Sequence, residues 1–299
     1  FKWNNYISRY HTRHLDLMDL LALYQPRASA PLDDLAKLFG FPGKLGMDGG
    51  KVWEAWQAGR IAEIRDYCTA HADPAIVKKY SKYFREGYDA YGIDHKDPLW
   101  AARKEDWTAR LREAGGTAYL DLADLLLPSP KYEETSLAIL IAAAMRDRFT
   151  PAIFDRIGTW FAAGIRQWAH TDVMSSLLLA PFIIDGIVPL ETLLTWRDSP
   201  HKYQRRAVAV TMVELLKHRN DHKTMLDAIE PLMTDPDREV HQGVGWLLRE
   251  IWKKEPRPVE RLLTKHKETG ARLIYQYATE KMTPEQKARF KRSKPARTR

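Results

Sequence analysis

Trp168 and Asp172 stand four residues apart in GlnTrpAlaHisThrAsp at 167–172, a spacing that sets an indole and a carboxylate on one face of a continuous helix. Two guanidinium groups, Arg205 and Arg206, open the otherwise apolar stretch HisLysTyrGlnArgArgAla at 201–207, and Trp246 lies within GlyTrpLeuLeuArgGlu at 245–250. The step from Trp168 to Arg206 is 38 residues and that from Arg206 to Trp246 is 40. Indole faces attract positive charge. A carboxylate stabilises a cation that develops beside it, and a guanidinium grips a phosphate through paired hydrogen bonds. Together they suit a flat, cationic ligand lying beside a phosphate backbone.

Other groupings fall short of a site. His11 and His14 at i, i+3 have no well-placed third ligand, and the one cysteine, Cys68, permits neither an intramolecular disulfide nor a thiolate-rich metal centre. GlyPheProGlyLysLeuGly at 40–46 lacks the Gly-Lys-Ser/Thr ending and the preceding strand of a phosphate loop. These residues therefore give no metal site and no phosphate loop. His170, His201 and His241 read as groove or surface side chains, and Met174, Met212, Met225 and Met233 as helix packing.

The elements that must carry Trp168, Arg206 and Trp246 are helices. Apolar residues recur at helical spacing almost throughout, and no run alternates as a strand would. Val240, Val244, Leu247, Leu248 and Ile251 make one buried stripe, closed by Lys253 and Lys254 before Pro256. Similar segments run over 133–148, 151–167, 189–196, 203–218, 222–233, 259–267 and 271–282, separated by breaks such as LeuProSerPro at 127–130 and ThrAspProAsp at 234–237. The helices pair with a period of roughly 35–45 residues, which predicts an all-α, HEAT-like α-solenoid (an α-α superhelix) over 75–285. Steps of 38 and 40 residues are each about one repeat, so Trp168, Arg206 and Trp246 occupy equivalent places on one concave groove. The first 70 residues, interrupted by a Gly/Pro-rich insert at 40–50, form a separate, mostly helical segment, with a boundary near 70–75.

The 299 residues carry a formal charge of +8, and residues 287–299 alone hold seven Lys and Arg with no acid, a run that favours polyanions. No apolar stretch nears the roughly 20 residues of a membrane span. The opening PheLysTrpAsnAsn has neither an initiator Met nor a secretory leader and reads as the start of a fragment. A monomer in the cytoplasm, associated with the nucleoid, is the expectation.

Two resemblances follow from these motifs. HisThrArgHisLeuAspLeuMetAsp at 11–19, PheGlyPheProGlyLysLeuGlyMetAspGly at 39–49 and IleArgAspTyrCys at 64–68 resemble the C-terminal part of a bacterial DnaQ-like 3′–5′ exonuclease domain related to the proofreading domain of family-B DNA polymerases. That chemistry needs carboxylates clustered around two metal ions. The Asp-x-Glu pair that the family carries upstream of these motifs is not present, and His71 stands where its last acidic ligand is expected, so no exonuclease activity is expected.

The Trp-x-x-x-Asp pair, the Arg-Arg-Ala-Val helix start and Gly-Trp-Leu-Leu-Arg-Glu, with LysTyrSerLysTyrPhe at 79–84 and TyrGluGluThr at 132–135, are similar to bacterial HEAT-repeat alkylpurine DNA glycosylases of the AlkD type over about 73–285. The resemblance implies three parts: a truncated, inactive exonuclease-like segment at 1–70, a glycosylase domain at 71–285 and a basic tail at 286–299. It implies hydrolysis of the N-glycosidic bond of cationic N3- or N7-alkylpurines in duplex DNA, without base flipping and with no metal or organic cofactor, since water and a carboxylate suffice. Asp172 would stabilise the cationic sugar and position water, with Trp168 and Trp246 pressed against the deoxyribose. Arg206 would anchor a phosphate, with Arg205, Arg249, Lys79 and Lys82 as further DNA contacts. ArgGluValHisGlnGlyVal at 238–244 departs from the aromatic and Lys residues that the family often carries there. The competing expectation is a non-catalytic α-solenoid that binds branched or damaged DNA, or a protein.

Overall fold

The computed structural model describes residues 49–293, with side chains from 53 onward. His11, His14, the motifs at 11–19 and 40–46, and the end of the basic tail at 294–299 lie outside the described residues. The chain divides into two compact units, Phe1–Gly59 and Arg60–Arg299.

Four helices start where the sequence supplies an acceptor followed by proline. Asp73 accepts from the Ala75 N–H at the head of the helix Pro74–Ser81, Asp97 from Leu99, Thr150 from Ile153, and Thr283 closes a reciprocal capping box with Gln286. In each case the next residue is Pro, whose missing N–H costs nothing in a first helical turn.

The order of helices is α1 (Gly49–Ala70), α2 (Pro74–Ser81), α3 (Pro98–Ala114), α4 (Ala118–Leu126), α5 (Tyr132–Ala143), α6 (Pro151–Ala163), α7 (Trp168–Met174), α8 (Ala180–Ile184), α9 (Leu190–Leu194), α10 (Lys202–Leu215), α11 (His222–Ile229), α12 (Arg238–Lys254), α13 (Pro256–Lys265), α14 (Arg272–Ala278) and α15 (Pro284–Ala288). Among the described residues there is no strand. The all-α reading therefore holds, and the helices stack as a solenoid: α5, α7, α10, α12 and α14 each pack on the next. Close approach is built in at α12. A Cβ on Gly245 would lie 2.6 Å from Tyr277 Cβ and 2.8 Å from the Ile274 carbonyl oxygen, so only a glycine lets α12 sit this near α14.

The helices are shorter than their apolar patterns. The segment expected over 133–148 ends at Ala143 and resumes as a 3₁₀ turn at Arg146–Arg148, and that expected to reach 167 stops at Ala163. A helix at 168–174 passes through a π turn at Ser175–Leu179 into α8. Pro181 accounts for the local widening, because its ring and missing N–H cannot continue a regular i→i−4 ladder. The core is apolar, and within it Trp160 is 1% exposed and donates its Nε1–H to Asp124 at 2.7 Å. No helix of the described residues is long and apolar enough to cross a membrane.

Candidate active site

α7 begins at Trp168 and carries Asp172 one turn further on; α10 brings Arg206, and α12 brings Trp246. All four line one cavity of about 310 Å³. Three helices of one layer thus converge at the spacing the repeat period requires.

Asp172 and Arg206 form a bidentate pair. Arg206 Nε donates to Asp172 Oδ1 at 2.8 Å and Nη2 to Oδ2 at 2.9 Å, while Nη1 donates to the Glu239 carbonyl oxygen at 2.7 Å. The Arg206 side chain is 5% exposed and that of Asp172 18%. Burial pushes the Asp172 carboxyl above its ordinary range, and the two hydrogen bonds and the charge of Arg206 oppose that rise. Arg206 can lie so flat because α12 presents Gly243 to it, where an added Cβ would meet Arg206 Cγ at 3.3 Å.

Trp168 is 37% exposed. Its indole stacks on Phe84, with centroids 5.7 Å apart and planes 20° apart, and its Nε1–H donates to the Tyr83 carbonyl oxygen at 3.3 Å. Trp246 is half-buried and faces the cavity, so it is not core filler. The site therefore offers two indoles, a carboxylate held in register and an opening to solvent.

One wall comes from Tyr83–Gly87, a segment before α3 that the sequence gives no reason to place here. Glu133 holds the chain just beyond it. Its buried carboxylate accepts the backbone N–H groups of Tyr91 at 2.9 Å, Gly92 at 2.8 Å and Ile93 at 3.2 Å. Gly92 has φ +85°, and a Cβ there would strike the Asp73 carbonyl oxygen at 2.1 Å. Glu134 is bonded by Arg65 and by the Tyr91 hydroxyl. The TyrGluGluThr motif thus fixes the chain just beyond the wall.

The other expected contacts divide. Arg249 lines the cavity, where its guanidinium meets Glu250 at 3.0 Å and also Glu280. Arg205 points away from it, bonded to Asp235, Asp237 and the Ser199 carbonyl. Lys79 and Lys82 are exposed over the rings of Tyr80 and Tyr83, outside the cavity lining. Sequence reasoning missed Tyr203, Arg238, Glu239, Gln242 and Tyr277; two of these, Glu239 and Gln242, share one face of α12 with Trp246 at i, i+3, i+7. His170 corrects an expectation. It is 4% exposed, stacks on Tyr132 and donates Nε2–H to the Tyr132 carbonyl oxygen at 3.0 Å, and burial lowers its pKa to about 4. Among the described residues no group of His, Cys, Asp and Glu could hold a metal ion.

Comparison with known proteins gives the following. Residues 64–282 match a family model described as DNA alkylation repair enzyme. Residues 1–98 match one described as a predicted 3′-5′ exonuclease related to the exonuclease domain of PolB. No curated protein matches the chain. Among solved structures, a predicted DNA alkylation repair enzyme from Enterococcus faecalis is 16% identical with a TM-score of 0.61, covering 72% of this chain and 98% of that one. AlkD2 from Streptococcus mutans is 20% identical with a TM-score of 0.49, covering 68% and 96%. The Enterococcus faecalis structure shares the fold, and the first family match spans well over half of the 299 residues. The chain belongs to the DNA alkylation repair enzyme family.

Proposed function

We propose that the protein is a DNA N-glycosylase that releases cationic N3- or N7-alkylpurines from duplex DNA laid across the cavity, without flipping the base. One observation carries this reading: Trp168, Asp172, Arg206 and Trp246, from three helices about a repeat apart, line a single solvent-open cavity. Alkylation at N3 or N7 makes the purine a cation, so the C1′–N bond breaks with its electron pair going to the base, which leaves neutral and needs no general acid. The sugar left behind is cationic at C1′. Asp172, whose charged form the bidentate Arg206 contact favours, stabilises that charge and orients the water that adds to C1′ and then gives up its proton to solvent. Trp168 and Trp246 add the attraction of their ring faces.

Arg206 is assigned here first to holding Asp172; two of its five N–H groups remain for a phosphate. Arg249 and Arg238 at the cavity are the further cations for the DNA backbone. The three-part organisation at 1–70, 71–285 and 286–299 belongs to the same proposal, with the solenoid as the working part. Release of free 7-methylguanine from alkylated duplex DNA, lost on Asp172→Asn, is the test. Duplex binding without release by the parent protein would leave a DNA-binding solenoid instead.

A further inference from the structure

Glu86 reaches α10 across 116 residues of sequence and sits between two donors. Its carboxylate pairs with Lys202 Nζ and accepts the Tyr203 hydroxyl at 2.9 Å. Lys202 is one turn before Arg206 on α10, and its Nζ also lies 3.5 Å from Glu239 Oε2. The wall segment does not need this contact to stay in place. Its main chain is held at both ends, by Trp168 on the Tyr83 carbonyl and by Gln167 Nε2 on the Gly87 carbonyl at 3.1 Å, and Glu133 grips the chain beyond. The two carboxylates differ in kind. Glu133 is 6% exposed, whereas the Glu86 side chain is 47% exposed and can exchange its partners for water. Arg85 and Arg238 line the same cavity, are exposed, and have no acidic partner among the described residues.

An ammonium and a phenol around an exposed carboxylate, with two uncommitted guanidinium groups nearby, describe a seat for an oxyanion. A phosphodiester offers the same pair of acceptor oxygens that the Glu86 carboxylate offers now. We propose that Lys202 and Tyr203, with Arg238 from the lining of the same cavity, form a site for a backbone phosphodiester of DNA, and that Glu86 fills this site in the free protein and is displaced when duplex binds. The proposal rests on the reading above only in taking DNA as the ligand; it does not depend on excision. Glu86 then acts as an internal competitor that weakens binding to undamaged DNA.

The test is binding of the full chain to a short undamaged duplex across a salt series, by fluorescence anisotropy, for the parent, Glu86→Gln, Lys202→Met and the double variant. Both side chains are partly exposed, so the variants keep the fold. Glu86→Gln is expected to bind about three- to tenfold more tightly at low salt, because a like charge beside the phosphate is gone. Its salt dependence steepens by up to about 0.9 in log K against log salt, because in the parent the displaced Glu86 takes up a cation that offsets one released from the duplex. Lys202→Met weakens binding and cancels the gain in the double variant. Equal affinity and slope for parent and Glu86→Gln overturn the proposal. So does a gain that persists in full without Lys202, since Glu86 would then act as a diffuse charge only. Duplex binding by none of the four proteins overturns the DNA reading itself, and this proposal with it.

Discussion

Replacing Arg206 with Met removes the two hydrogen bonds to Asp172 while keeping most of the side-chain volume packed under Gly243. What remains is a carboxyl group, 18% exposed, that burial already pushes above its ordinary pKa. Breaking a buried pair from one side costs about 3–5 kcal/mol. The carboxyl can escape by taking up a proton, at about 1.4 kcal/mol for each pH unit above its ordinary value, which caps the penalty near ~4 kcal/mol at pH 7. The sign follows from the raised folded-state pKa. Above the unfolded value the folded state keeps a proton that the unfolded chain releases, so stability falls as pH rises through that window and is recovered as pH is lowered. Loss of Arg206 widens the window. The deficit of Arg206→Met against the parent should therefore shrink by up to about 2–3 kcal/mol between pH 7 and pH 5. Urea unfolding at the two pH values measures it, with an Asp172→Asn/Arg206→Met double variant that removes both charges and regains most of the loss. A deficit independent of pH, or a double variant no more stable than Arg206→Met, refutes the argument that Arg206 holds a buried carboxylate.

Two further outcomes follow from the packing. His170 is neutral in the fold with its pKa near about 4, so between its ordinary value and pH 4 the unfolded chain takes up a proton that the folded state refuses; stability falls with pH by roughly 3 kcal/mol in all, and His170→Gln should flatten that part of the pH–stability profile. Gly245→Ala forces a methyl group to within 2.6 Å of Tyr277 Cβ and should cost about 1–3 kcal/mol by overpacking the α12–α14 contact, read as a lower urea midpoint at unchanged slope.

The helical stack was legible because periodicity is local. The stripe Val240, Val244, Leu247, Leu248 and Ile251 runs inside the observed α12, and Lys253 and Lys254 close it as expected. The convergence of Trp168, Asp172, Arg206 and Trp246 was legible for a different reason: in a repeat stack, sequence distance converts to place. Adjacency carried less. Arg205 and Arg206 are neighbours in sequence but point about 100° apart on a helix, so one joins Asp235 and the other Asp172. The burial of His170 depends on Tyr132 and Ser136, more than thirty residues away, and a polar side chain announces no such partner. The Tyr83–Gly87 wall, touched in the sequence only by the end of LysTyrSerLysTyrPhe, leaves no periodic trace, since it is a turn held by Trp168 and Gln167 from α7 and its N-terminal edge, with Glu133 gripping the chain beyond. The π turn before Pro181 likewise leaves no periodic trace distinct from an apolar helix.

The most direct test is release of free 7-methylguanine from duplex DNA at low salt, comparing the parent protein with Asp172→Asn, both checked for duplex binding. Release by the parent, loss of that release in the variant by a factor of about 10² or more, and duplex binding by both are expected. Release that survives Asp172→Asn would remove the carboxylate from the chemistry, and no release by the parent, with duplex binding intact, would contradict the glycosylase reading.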